Sequence, residues 1–259
     1  MIRSKLVKKI GYKVLDIFCK NGIRVNINNF SLRLPVYHFR LFPNDYEKEN
    51  FEFIRKTIKP GYVILDIGAH IGLTAAIFGT MVKEQGRVFS FEPTPASFAT
   101  LKETIRINGL QNIVTPVNMP VTEKSGKVNF FISDTKVDFA NSLVEWEEGK
   151  VLHAIQVDAT SIDDFVATQK LTRIDFVKID AEGAELSVLI GGKKTLSKFK
   201  PLVILALHPT AITTNGHSLL SIYELIKSMG FKIYFDSKEI SSDDFCNKQC
   251  LFDVHLLAQ

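Results

Sequence analysis

Cysteine is scarce and unpaired here. Cys19, Cys246 and Cys250 make an odd count with no framework of spacings, which argues against a disulfide-stapled scaffold and fits a reducing compartment. No second Cys or His pair stands at zinc-finger spacing from Cys246 and Cys250, so a structural zinc is disfavoured and these read as free thiols. A strong charge of one sign is also lacking. The formal net charge is +4, with lysine and arginine interspersed among aspartate and glutamate, so neither nucleic acid nor another bulk polyanion is called for as a partner. No internal repeat or low-complexity tract is visible. What the chain does have is apolar content, 46% of 259 residues, enough for one domain plus a short extension but not for a second catalytic domain.

At the N-terminus Leu6, Ile10, Val14 and Ile17 fall at helical spacing among Lys5, Lys8, Lys9 and Lys13, the pattern of a basic amphipathic helix. It lacks the apolar segment of a secretory signal and is too interrupted by lysine to cross a bilayer, so a cytoplasmic protein is expected. The preferred reading is a helix packed on its own domain with a solvated basic face. Peripheral contact with anionic lipid at the inner face of a membrane is the alternative.

Residues 1–60 read as an N-terminal extension: that helix, a β-like stretch over 24–34, an aromatic segment over 37–42, and a helix over 46–58 stopped by Lys59-Pro60-Gly61. The principal domain, 61–259, begins after that Pro-Gly. Apolar strands over 64–68, 87–92 and 113–117 alternate with helices over 73–83 and 95–108, which predicts a parallel sheet. Runs over 128–133 and 152–157 flank a polar loop holding Asn141-Ser142-Leu143 and Trp146, and should pair as an antiparallel extension. Alternation resumes with a strand over 174–180, a helix from about Ala184, a strand over 202–207 and a helix over 219–229. Runs over 232–235 and 254–257 then close the sheet as an antiparallel hairpin pair.

The chemistry gathers at strand ends. Val63-Ile64-Leu65-Asp66-Ile67-Gly68-Ala69-His70-Ile71-Gly72 delivers an acid and two glycines to a turn, and Glu92 follows Gly72 by 20 residues. A dinucleotide site wants G-x-G-x-x-G for a pyrophosphate, yet His70 holds the middle glycine position and Asp66 would repel phosphate. Asp66 suits a cationic amine and Glu92 a ribose diol, which points to S-adenosylmethionine. The plainer alternatives are an acid that caps the next helix and a solvated strand-end acid. Asn118 either meets the adenine edge or bonds its own turn.

Asp180 and Glu182 on the turn Asp180-Ala181-Glu182-Gly183-Ala184-Glu185 can bind a substrate hydroxyl, the methionine amine or a divalent cation such as Mg2+, although no metal-ligand set is assigned. Glu185 is explained by the helix dipole alone. His208, ending a strand before Pro209, has an imidazole suited to taking a hydroxyl proton, or it is a strand-end histidine bonded to a loop carbonyl.

Those segments, with Phe91-Glu92-Pro93, Ser125-Gly126-Lys127-Val128, Ser161-Ile162-Asp163-Asp164 and Val177-Lys178-Ile179-Asp180-Ala181-Glu182-Gly183-Ala184-Glu185, resemble the FkbM family of S-adenosylmethionine-dependent methyltransferases over about residues 45–258. The resemblance implies the class I methyltransferase fold, a Rossmann-like doubly wound α/β sheet, mostly parallel with a reversed C-terminal strand. It also implies O-methylation of a hydroxyl on a sugar, glycan or polyketide-type acceptor. On this account Asp66, Gly68, Ala69, His70, Gly72, Glu92, Pro93 and Asn118 hold the cofactor, while Asp180, Glu182 and His208 serve the acceptor. The segment 37–42, Tyr46 and the Trp146 loop supply a lid.

Three departures from the family pattern stand out. His70 replaces a frequent Asn, which should be tolerated because backbone amides do much of the binding; Ala206 stands where a glutamate is usual; and Pro120 reshapes the adenine wall. Two rivals remain. A nucleobase N-methyltransferase commonly carries an Asn/Asp-Pro-Pro-aromatic motif where this chain has Asp180-Ala181-Glu182-Gly183. A non-catalytic or membrane-surface module with a degenerate cofactor site would not bind S-adenosylmethionine.

Overall fold

The computed structural model describes residues 19–133, 143 and 152–259. The basic N-terminal helix and Trp146 lie outside them. The chain enters through a hairpin, β1 (Ile23–Ile27) and β2 (Phe30–Leu34), turned by Asn28 and Asn29 with φ of 47° and 65°, a conformation asparagine tolerates better than most residues. Helix α1 (Lys48–Thr57) follows, starting two residues later than its apolar spacing suggests because Glu47 adopts a left-handed conformation.

Five strands then run parallel: β3 (Val63–Ile67), β4 (Arg87–Phe91), β5 (Val114–Val117), β8 (Phe176–Ile179) and β9 (Leu202–Leu207). The antiparallel ribbon β6 (Gly126–Ser133) and β7 (Leu152–Ala159) forms between them as a separate sheet, as the alternation predicts. After β9 come β10 (Phe231–Phe235), the short β11 (Lys238–Glu239) and β12 (Phe252–Ala258). The eight-stranded order is β11-β10-β12-β9-β8-β3-β4-β5, with β12 antiparallel to both neighbours. The α/β doubly wound sheet with a reversed C-terminal strand, β12, is therefore present, and the two-residue β11 at its edge is reversed as well. The expected closing pair forms, with Lys232 opposite Leu257, but β11 and helix α9 (Ser242–Cys246) intervene, so it is no simple hairpin.

Helices cover both faces, as continuous apolar strands require. One face packs α1, α2 (Leu73–Val82), α3 (Pro95–Ile107) and the β1–β2 hairpin around Phe51, Phe78, Leu101 and Phe176, so the described part of the extension shares a core with the sheet. The other packs α4 (Ile162–Thr168), α5 (Glu185–Gly191), α6 (Lys193–Phe199), α7 (Pro209–Thr214) and α8 (Leu219–Ser228) around Phe165, Leu189, Ile212 and Ile226. The sequence reading contains no helix at α4, whose start is capped by Ser161 Oγ accepting from Asp164 N at 3.0 Å. The helix expected from Ala184 is broken at Gly192 into α5 and α6.

The strand order reverses at β3, and the turn that leaves it is tightly constrained. Gly68 has φ of 80°, and a Cβ there would stand 1.9 Å from the carbonyl oxygen of Asp180. The glycine is thus required by the approach of β8's end. Gly109 has φ of 71° with open space around its Cβ position, so it isolates the conformational cost alone. Gly109→Ala should cost about 1 kcal/mol, whereas Gly68→Ala should cost at least about 3 kcal/mol or abolish folding. Equal denaturant midpoints for the two variants would refute the steric account.

Candidate functional site

The polar strand ends converge at the carboxyl edge of the sheet, where two cavities meet. Gly68, His70 and Asp180 line both. The first is walled by Phe91, Glu92, Pro93, Met119, Pro120, Val121 and Phe130, with Leu143 from the long loop and Glu182 opposite. One carboxylate set in an apolar wall is chemistry that suits a nucleoside. Glu92 is 5% exposed and accepts from His70 N at 2.9 Å and Thr94 N at 2.8 Å. Burial outweighs these bonds and pushes its carboxyl up to about 7.

Three residues expected at the cofactor, Asp66, Asn118 and Gly72, border neither cavity and engage other parts of the protein. Asp66 is fully buried; Thr74 Oγ1 donates to it at 3.1 Å and Ser90 Oγ at 3.3 Å, and it lines neither cavity. Its carboxyl, pushed up to about 6 by burial, ties the start of α2 to the sheet. Asn118 Nδ2 donates to the carbonyls of Glu92 and Pro93 at 2.8 and 3.1 Å, fastening β4's end to β5's, and its neighbours Met119 and Pro120 form the wall instead. Gly72 borders neither cavity; a Cβ there would meet Leu101 at 2.7 Å.

The loop's amides also turn inward. Those of Gly68 and Ala69 donate to Phe91 O, that of His70 to Glu92 and that of Gly72 to Ala69 O. Ala69 lines only the second cavity. His70 adopts φ of 48°, which accounts for an Asn or Gly being at home there.

The acid turn departs furthest from expectation. Glu185 is fully buried and is no mere dipole partner: its Oε1 contacts His208 Nδ1 at 2.7 Å and accepts from Gly183 N at 3.0 Å. His208 Nε2 lies 3.2 Å from Glu182 Oε2 and 3.8 Å from Asp180 Oδ1. The imidazole borders neither cavity and stands behind Glu182 and Asp180, which line the first. Burial by itself lowers its pKa, but the Glu185 hydrogen bond and the charges of Glu182, Glu185 and Asp180 prevail and raise it to about 9. Glu182, held at φ of 47°, is pushed up to about 7 by burial.

Lys178, which the strand pattern alone does not single out, is buried and donates to Asp180 at 2.8 Å. Burial would raise Asp180, yet Lys178 and His208 hold it below its ordinary value. Opposite Ala206 on β12, Asp253 accepts from Asn50 at 2.9 Å and sits on the same sheet face, so a carboxylate is present there by another strand. Of the expected lid, Phe42 and Tyr46 line the second cavity, while Tyr37 is exposed.

Residues 66–233 match the family model described as the Methyltransferase FkbM domain. The chain belongs to the FkbM methyltransferase family. That membership meets the expectation of an S-adenosylmethionine-dependent methyltransferase. Among relatives, the 2-O-methyltransferase NoeI of Sinorhizobium fredii is 27% identical over 168 residues, covering 60% of this chain and 68% of that one. The hexuronic acid methyltransferase AglP of Haloferax volcanii is 29% identical over 159 residues, covering 61% of each. The solved FkbM methyltransferase of Methylobacillus flagellatus KT is 19% identical, covering 85% of this chain and 54% of that one, with a TM-score of 0.48.

In this methyltransferase Asp180, Glu182 and His208 offer atoms within 4.8 Å of one another, the one such grouping among the described residues. They do not fit a resident Mg2+: Asp180 is neutralised by Lys178, and His208 carries a proton at neutral pH. A group raised above its unfolded value of 6.5 stabilises fully below pH 6.5 and loses that contribution as pH climbs through about 9. The stability advantage of wild type over His208→Gln in urea should therefore shrink across that window. An advantage that stays constant would mean an imidazole neutral throughout.

Proposed function

We propose that this chain methylates a hydroxyl oxygen of a sugar or glycan, with Glu182 taking the hydroxyl proton. The observation that carries the reading is Glu182 itself, facing the same cavity as Glu92 and backed by the buried Glu185–His208 pair. A carboxyl with a pKa of about 7 matches the operating pH of a base. His208, charged and out of the cavity wall, is a positioning residue that fixes Glu182. This departs from a role for His208 as the base.

When bound, S-adenosylmethionine supplies an electrophilic methyl group. The residues present fit it. Glu92 keeps lone pairs beyond the two amides it accepts, suited to the ribose hydroxyls, and Met119, Pro120, Val121 and Phe130 make an apolar bed for a base. Asp180 lines both cavities and so borders the junction between them. Most of the acceleration then comes from holding the hydroxyl in place, and Glu182 adds roughly 10²–10⁴-fold. Oxygen as the target is supported by the name of NoeI, a 2-O-methyltransferase, and a sugar acceptor by that of AglP, a hexuronic acid methyltransferase.

Two measurements test this. By calorimetry Glu92→Ala should weaken S-adenosylmethionine binding by roughly 2–4 kcal/mol with the fold intact, while Glu182→Gln should bind it as wild type does. With tritiated methyl donor and a panel of hexuronate and neutral hexose glycosides, Glu182→Gln should lower transfer by about 10²–10⁴-fold. Undiminished turnover would remove Glu182 as the proton acceptor. Label appearing on amines but on no hydroxyl would overturn the oxygen reading.

A further inference from the structure

With Asp66 closed on Thr74 and Ser90, the amino-acid end of the cofactor lacks the carboxylate that the sequence assigns to its amine. The second cavity contains a replacement. It is bordered by Phe42, Tyr46 and Glu47 from the extension and by Lys178 and Asp180 from β8's end. Glu47 Oε2 accepts from Asn50 Nδ2 at 3.2 Å, a neutral donor. Among the described residues it has no cationic partner within 4 Å, because the nearby Lys178 ammonium is committed to Asp180 at 2.8 Å.

This wall therefore holds two carboxylates against one ammonium. A half-buried charge left unbalanced favours a cationic guest. Glu47 also stands at φ of 44° and ψ of 45°, a conformation that glutamate adopts at a cost and that a structural role would assign to glycine or asparagine.

We propose that Glu47 binds the ammonium of the amino-acid end of S-adenosylmethionine, so that the extension completes the cofactor site. The inference rests on the S-adenosylmethionine reading of the cleft given above. It assigns the ligand's cationic end to the second cavity and its nucleoside to the first, with Gly68 and His70 between.

The test is calorimetry on the full chain with three ligands: S-adenosylmethionine, S-adenosylhomocysteine, which keeps the ammonium but lacks the sulfonium, and 5′-methylthioadenosine, which lacks both. Glu47→Gln should weaken the first two alike, by roughly 10–100-fold, and leave the third unchanged. Glu47→Gly, which suits the left-handed backbone, should show the same selective loss with thermal unfolding no lower than that of Glu47→Gln. Undiminished S-adenosylhomocysteine affinity in both variants overturns the proposal. So does a loss confined to S-adenosylmethionine, which would assign Glu47 to the sulfonium, or an equal loss of 5′-methylthioadenosine, which would make Glu47 a support of the fold. Wild-type protein that binds none of the three overturns the cofactor reading itself, a failure distinct from the others.

Discussion

The site depends on a lysine buried in the middle of the sheet. Lys178 sits on β8, in register with Asp66 on β3 and Ile204 on β9, where an isolated ammonium would be strongly disfavoured. Burial presses it toward neutrality, but Asp180, Glu47 and Asp66 overrule that pressure and keep it charged. The consequence runs along the whole edge. Glu47, Lys178, Asp180, His208 and Glu185 form a row from the start of α1 across the strand ends to α5, in which the charge states of Lys178, Asp180 and His208 are conditioned by their neighbours. Removing one partner of such a buried pair leaves an uncompensated charge, which costs more than the pair contributes.

Backbone geometry aims that charge row. Gly68, His70 and Gly72 take positive φ in the turn after β3, and Glu182 and Gly183 do so after β8. The two turns interlock: a side chain at Gly68 would strike the Asp180 carbonyl, and one at Gly183 would strike Ala211 of α7 at 2.6 Å. Three of these five positions are glycine, where the conformation costs little. His70 and Glu182 accept strain, and both border the first cavity. Strain held at residues facing a cavity is the pattern expected where side-chain placement outweighs backbone ease.

How much of this was legible in the sequence follows from the range of each interaction. The strands and their parallel order were readable because each buried strand is a short apolar run ending at a polar residue. Glu92, Asp180 and Glu182 were found in the same way, since a strand end fixes which edge a residue reaches. What the sequence concealed is the choice of partner. Asp66 and Glu92 both end apolar strands, yet Asp66 finds two hydroxyls, on Thr74 and Ser90, 8 and 24 residues away, and closes on them. Glu185 looks like a dipole acid until β9 brings His208 to it from 23 residues on, and that contact, with the charges of Glu182 and Asp180, raises the imidazole to about 9. Glu47 gave no signal, because its left-handed backbone and its place beside Lys178 exist only after α1 packs on the sheet.

The two cavities differ in the chemistry that they can accept, and that difference restricts where reaction can occur. The first is apolar apart from His70, Glu92, Asp180 and Glu182; the second is bounded by Glu47, Lys178 and Asp180 beside two aromatic rings. A ligand with an uncharged nucleoside and a charged amino-acid end gains from each only in one orientation, since reversal would bury its charge against Phe130 and Val121. The part of such a ligand between its two ends must then pass Gly68, His70 and Asp180, the three residues shared by both walls. Glu182 borders the first cavity two residues from Asp180, so the group best suited to take a proton stands close to that passage. On the proposed reading, the buried charge row sets the direction of the ligand, and the strained turn holds Glu182 near the passage between the two cavities.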